Sequence, residues 1–150
     1  MNKVSLFVSL ILGVLVYGGA DSSALAQEKF VLVVNAKNSV TQVDSGIAKD
    51  IYFGRKLFWE SGVKIRPALL DQKNPVTSSF LSGCLDTETS RYLAFWRRRL
   101  FSGRGVPPKQ FQSEKELLEF VSQNEGAIAV VSTPPSGQAA SQLKVIPLSN

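Results

Sequence analysis

The segment Val43–Pro67, VDSGIAKDIYFGRKLFWESGVKIRP, constrains the fold more than any other part of the chain. Just upstream, Phe30–Asn35 reads FVLVVN, a continuous apolar run rich in valine. Such a run forms a strand buried on both faces. Asp44 or Ser45 is placed to cap a helix that carries Ile47, Ala48, Ile51 and Tyr52 at helical spacing. Gly54 is placed to stop that helix, because glycine enters the left-handed region without a Cβ penalty. A basic pair (Arg55, Lys56), an aromatic pair (Phe58, Trp59) and a glycine turn then lead to a second strand over Lys64–Leu70. Strand, helix and strand in this order call for a layered α/β domain.

The rest of the chain continues the alternation. Asp71–Pro75 has turn chemistry, and Thr77 or Ser78 can cap a short helix running through Leu85. A second helix, from about Glu88 to Phe101, places Leu93, Trp96 and Leu100 on one stripe and Arg91 and Arg98 on the opposite side. Phe101–Pro108, rich in glycine and proline, cannot continue it. Ser113-x-x-Glu116 is a capping box, followed by Leu117, Leu118, Phe120 and Val121 in a helix ending near Asn124. Ala127–Val131 and Leu143–Leu148 read as strands, with a loop or weak helical turn over Thr133–Gln138. The expected sheet is mixed or mostly parallel.

The N-terminus has the three parts of a secretory leader. Lys3 supplies a positive start, Val4–Val16 is apolar, and Ala24-Leu25-Ala26 offers a small-x-small cleavage point. The apolar run is roughly 13 residues, short of the ~20 that span a bilayer. Cleavage after Ala26 leaves about 124 residues, enough for one domain and too few for two. The expectation is a signal peptide over 1–26, a single domain over 27–150, a periplasmic location and no stable membrane span after cleavage.

The net charge of +5 survives removal of Lys3 and Asp21 together. An exported basic domain can meet small oxyanions, lipid headgroups or cell wall, while a surplus of this size also simply favours solubility. Nucleic acid is not an expected partner there. Cys84 is the sole cysteine, so no intrachain disulfide forms, and its apolar neighbours suit a small core residue. The sequence has no histidine. That excludes histidine-dependent triads and histidine-containing metal sites. Asp44, Asp50, Asp71 and Asp86 have no spacing that suggests paired acid/base work or metal ligation. No cofactor, metal or catalytic residue is expected.

Several segments together carry a family resemblance. Ile51-Tyr52-Phe53-Gly54-Arg55-Lys56 with Trp59 behind it resembles one lobe of the type 2 periplasmic solute-binding proteins, especially those that feed phosphate to ABC transporters. Their lobe has an Ile-Phe-x-Gly-Lys-like helix end, a Trp and then a strand. Phe101-Ser102-Gly103-Arg104-Gly105 before Pro107-Pro108 looks like the glycine-proline loop of short single-lobe members, with Trp96 just ahead of it. Gly126-Ala127-Ile128-Ala129-Val130-Val131 is similar to the Gly-Ala-Ile strand that ends this lobe. The resemblance covers nearly all of the chain past the leader. It implies an α/β fold, a single lobe of the type 2 periplasmic-binding-protein kind, with a central mixed sheet flanked by helices. It also implies a non-enzymatic role in capturing or sensing a small anion such as phosphate.

In phosphate-binding relatives, an Arg-x-x-Gly-Ser-Gly-Thr run at a helix N-terminus holds the oxyanion through backbone N–H groups, hydroxyls and the helix dipole. The corresponding stretch here is Gln72–Phe80. It keeps Thr77, Ser78 and Ser79 but lacks the glycines and the arginine. Thr77, Ser78 and Ser79 are therefore the candidate anion-binding residues, with helix capping as their alternative role. A lone lobe can also complete its cleft by forming a homodimer or by docking on an envelope protein. The alternative function is thus a ligand-free accessory or interaction module. Arg97-Arg98-Arg99 reads as a solvated helix face, with an anion or membrane-surface patch as the other reading. Trp59 reads as a core residue, or as a ring that stacks on a ligand.

Overall fold

The computed structural model describes residues 30–149. The expected leader and its cleavage point after Ala26 lie outside the described residues. Strand β1 (Val31–Asn35) lies in the predicted apolar run, buried from Leu32 to Asn35. A short strand β2 (Val43–Asp44) leads into α1 (Ser45–Tyr52), and Asp44 is the cap: its Oδ1 accepts from the Ile47 N–H at 2.7 Å. Then come β3 (Arg66–Leu70), α2 (Pro75–Gly83), α3 (Thr89–Phe101), β4 (Lys109–Phe111), α4 (Glu114–Gln123) and β5 (Ala127–Val131). A 3-10 turn over Gly137–Gln142 precedes β6 (Leu143–Ile146) and β7 (Leu148–Ser149).

The main sheet has the order β4-β3-β5-β1-β6. β3 runs parallel to β4 and β5, and β1 runs antiparallel to β5 and β6. The sheet is therefore mixed and flanked by helices, as the alternation implies. β5 is buried along its whole length, which explains why AIAVV shows no polar alternation. The expected strand over Leu143–Leu148 divides at Pro147, which has no N–H to give a ladder. Beyond it β7 pairs in parallel with β2. The strand expected from Lys64 begins at Arg66, and Lys64 instead forms an isolated bridge to Phe58.

Two expectations need correction. Asn74, and neither Thr77 nor Ser78, caps α2: its Oδ1 accepts from the Val76 N–H at 2.9 Å, and Pro75 opens the first turn. Proline suits that position because its missing N–H would have no helical partner. On α3, the buried residues are Tyr92 and Trp96, while Leu93 is half-buried and Leu100 is exposed. Arg91 and Arg98 are exposed as expected.

The face of α3 that turns inward is set by the end of α1. The Tyr92 hydroxyl and the Trp96 Nε1–H both donate to the Tyr52 carbonyl, at 2.8 and 3.2 Å. A terminal helical carbonyl with no intrahelical partner is thereby satisfied by side chains four residues apart on another helix. The Tyr52 hydroxyl in turn reaches Ala68 O at 3.2 Å and Ile128 O at 3.3 Å, tying α1 to the centre of the sheet. Gly54 follows with φ +69°, and a Cβ there would sit 2.8 Å from Trp96 Cη2. The expected glycine stop is thus also a close approach. Trp59 is a core residue, with its Nε1–H donating to Gly126 O at 3.1 Å, so the ring is not offered to a ligand.

Burial pushes the Tyr52 phenol well above its ordinary value, with smaller contributions from Tyr92 and Cys84. Burial also raises Tyr92, against a lowering contribution from its Trp96 contact. The sign of the pH effect follows. Unfolded tyrosine loses its proton near pH 10, while the folded phenols keep theirs, so the unfolded state binds fewer protons above that pH. Stability should be unaffected by these groups below about pH 10 and fall above it, by about 1.4 kcal/mol per pH unit for each phenol. Urea denaturation between neutral pH and pH about 11.5 checks this, and Tyr52→Phe should flatten the alkaline slope. An equal slope in the variant would contradict it.

Candidate functional site

The parallel set β3, β4 and β5 brings three strand ends to one edge of the sheet. Asp71 follows β3, Gln112 follows β4 and Ser132 follows β5. Helices α2 and α4 begin just beyond that edge. Open α/β sheets hold ligands outside the carboxyl ends of their strands, so this edge is the candidate site.

Thr77, Ser78 and Ser79 lie in the first half of α2, but they do not converge on one point. Thr77 is buried, and its Oγ1 donates to Leu70 O at 3.0 Å, fastening the helix to the end of β3. Ser78 is exposed, and its Oγ donates to Pro75 O at 3.0 Å. Ser79 is half-buried. Of the first-turn amides, Pro75 has no N–H and Val76 gives its own to Asn74. The donors that an incoming anion would use are therefore largely engaged within the chain.

Carboxylates occupy the same edge. Asp71 Oδ1 accepts from the Lys73 N–H at 2.8 Å, and its Oδ2 accepts from Gln112 Nε2 at 3.3 Å. Glu114, in the first turn of α4, accepts through Oε1 from both the Ser132 N–H (2.8 Å) and the Ser132 Oγ (2.6 Å). A carboxylate in that position complements the helix dipole, as a bound anion would. The α4 cap is the expected Ser113 Oγ, accepting from the Glu116 N–H at 3.3 Å. Sequence reasoning missed Asn74, Asp71, Gln112, Glu114 and Ser132 as members of this edge. Asn74-Pro75 carries a legible cap-and-first-turn signal, whereas the other pairings join residues far apart in sequence. Among the described residues, no group of three or more His, Cys, Asp or Glu side chains could hold a metal ion.

This arrangement of strands and helices has counterparts of known structure. An ABC-type phosphate transport receptor from Vibrio cholerae superposes with a TM-score of 0.61 at 20% identity, covering 80% of this chain and 46% of its own. A putative phosphate ABC transporter substrate-binding protein from Clostridium perfringens, solved with bound phosphate, gives 0.62 at 15% identity over 80% and 44% of the two chains. PstS from Borrelia burgdorferi gives 0.62 at 14% identity over 80% and 47%. The chain has the fold of one lobe of a phosphate-type solute-binding protein. It spans less than half the length of each of these structures. No protein-family model matches the sequence, and no curated protein matches it either. Within this lobe, Gly126–Val131 supplies the Gly-Ala-Ile strand β5, and Gly54 with Trp96 forms the packed corner where α1 ends.

Proposed function

We propose that this lobe is a non-catalytic, exported accessory module that presents its carboxyl-end edge to a second protein surface and does not capture free anions by itself. The observation that carries this reading is the engagement of the edge's own donors. Thr77 is bonded to Leu70 O and Asn74 fills the start of α2, while the carboxylates of Asp71 and Glu114 occupy the rim. An incoming phosphate would have to displace these bonds and face two negative charges. The completing surface is an envelope protein or a second copy of the chain. The leader-like N-terminus supports export, and a histidine-free sequence supports a role outside catalysis.

A second reading is direct capture of a small anion such as phosphate by Thr77, Ser78 and Ser79. It is favoured by the exposed Ser78 hydroxyl, whose bond to Pro75 O is local and exchangeable, close in sequence to exposed Lys73. Calorimetric titration of the purified chain with phosphate, with light scattering to fix its assembly state, separates the two. The expected result is no saturable binding tighter than about 1 mM. Saturable phosphate binding that Ser78→Asp abolishes would overturn the docking reading in favour of anion capture.

A further inference from the structure

The opposite edge of the sheet carries a surface of different character. A cleft of about 500 Å³ there is lined by Lys64, Arg66 and Lys109 around Leu57, Trp96 and Val106, with no acidic residue in its wall. Lys56 also lines it but is paired with Glu60 at 2.8 Å. On the other side of Trp96, Pro107 and Pro108, a groove of about 560 Å³ is lined by Leu100, Phe101 and Arg97.

Six large apolar residues are strongly exposed among the described residues, and five of them belong to this region: Leu57, Phe58, Leu100, Phe101 and Val106. Phe101 (85% exposed) and Val106 (80%) stand out furthest, on either side of Gly103 and Gly105. The charge is as concentrated as the apolar surface. Thr89–Ser113 holds six cations and no acid, one more than the net +5 of the entire chain. Arg98 also suits the C-terminal end of α3, where the helix dipole favours a cation. That does not account for Arg97 or for Arg104 in the loop, and the ion pairs found among the described residues involve Arg55 and Lys56 only.

We propose that this face docks on an anionic lipid bilayer. Phe101 and Val106 enter the headgroup boundary, while Arg97 and Arg104 spread among lipid phosphates above them. Exposed apolar side chains flanked by long cations match the depth profile of a membrane interface, where stems bury and charged tips stay at headgroup level. Each cation near an anionic surface strengthens binding about fivefold. The observations favour lipid over an acidic protein. Protein hot spots sit in packed pockets sealed by a surrounding rim, whereas here the most exposed groups are the apolar ones beside the loop. The surrounding cations have one sign and no fixed acceptor to register with, which suits a fluid headgroup layer.

The test uses the full chain with Phe101→Trp, read as the difference from the unsubstituted chain, so that the native Trp59 and Trp96 and any contact by the apolar N-terminus cancel from the readout. Emission and quenching by brominated lipids are followed on vesicles of phosphatidylcholine alone and of phosphatidylcholine with about a third phosphatidylglycerol. The expected result is a blue shift and quenching of the probe on anionic vesicles only, weakened by salt. Arg97→Ala in that background should weaken the response about fivefold, and Val106→Ser should weaken it further. Both positions are exposed, and unchanged circular dichroism would show that the fold is intact. No quenching on anionic vesicles, as expected if the face serves an acidic protein, would overturn the proposal. Equal quenching on neutral vesicles would overturn it as well.

Discussion

Replacing Gly126 with alanine will destabilise the fold by about 3 kcal/mol or more. A Cβ at this position would lie 1.9 Å from the Lys64 carbonyl oxygen, 3.0 Å from the Lys64 carbonyl carbon and 3.1 Å from Val63 Cγ1. The first two obstacles are backbone, so no side-chain rotation relieves the clash. Backbone must move instead, and the Gly126 carbonyl is already committed. It accepts from the Arg66 N–H at 2.9 Å, which opens the β3–β5 pairing, and from Trp59 Nε1 at 3.1 Å. Any shift large enough to admit a methyl group therefore strains both of these links between the central strands and the Trp59 corner. Urea denaturation followed by tryptophan fluorescence measures the effect. A loss below about 1 kcal/mol would mean that the two backbones do not approach this closely.

Trp96→Ala is the second large effect, about 3–5 kcal/mol. The ring is 5% exposed and meets Tyr92 and Phe95 edge-on, with centroids 6.4 and 5.3 Å away. It also fills the space that Gly54 leaves by having no side chain. Truncation opens a cavity beneath both surface clefts and removes one of two donors to the Tyr52 carbonyl. The second donor, Tyr92, remains, so the hydrogen bond is the smaller part of the loss. Trp96→Phe separates the contributions: it keeps part of the ring contact and should recover roughly half the stability lost in Trp96→Ala. Full recovery in the phenylalanine variant would show that the wall beyond Gly54 does not need the indole. Both substitutions are read by the same denaturation experiment.

Local signals carried much of the architecture. FVLVVN and AIAVV are apolar throughout because their strands are buried on both faces, and each is found where its composition places it. Gly54 ends α1 in the left-handed region, as a glycine after an amphipathic run does. The inward face of α3 was less legible. Its sequence, TSRYLAFWRRRLF, has apolar residues on several sides, and the choice is made by the Tyr52 carbonyl some forty residues upstream. Leu100 fits the helical stripe but lies exposed near the helix end, so periodicity alone overstates the buried face.

The candidate site was legible in place and less so in content. Strand-to-helix order puts the carboxyl-end edge at Asp71–Ser79, and the hydroxyl run Thr77-Ser78-Ser79 lies there. What those hydroxyls do depends on partners that spacing does not display. Thr77 bonds back from α2 to Leu70 at the end of β3, and Glu114 finds Ser132 across an intervening helix and strand. Asp71 and Gln112 are brought together only by the parallel pairing of β3 with β4.

The most direct measurement of whether this edge is self-satisfied is an amide-resolved NMR titration of the chain with phosphate. The signals to follow are those of Val76, Thr77, Ser78, Ser79 and Ser132. With the Val76 N–H held by Asn74, the Thr77 hydroxyl by Leu70 O and the Ser132 N–H by Glu114, these amides should show no saturable shift up to about 1 mM phosphate. Saturable shifts centred on Ser78 and Ser79 would contradict the account and identify the start of α2 as a working anion site.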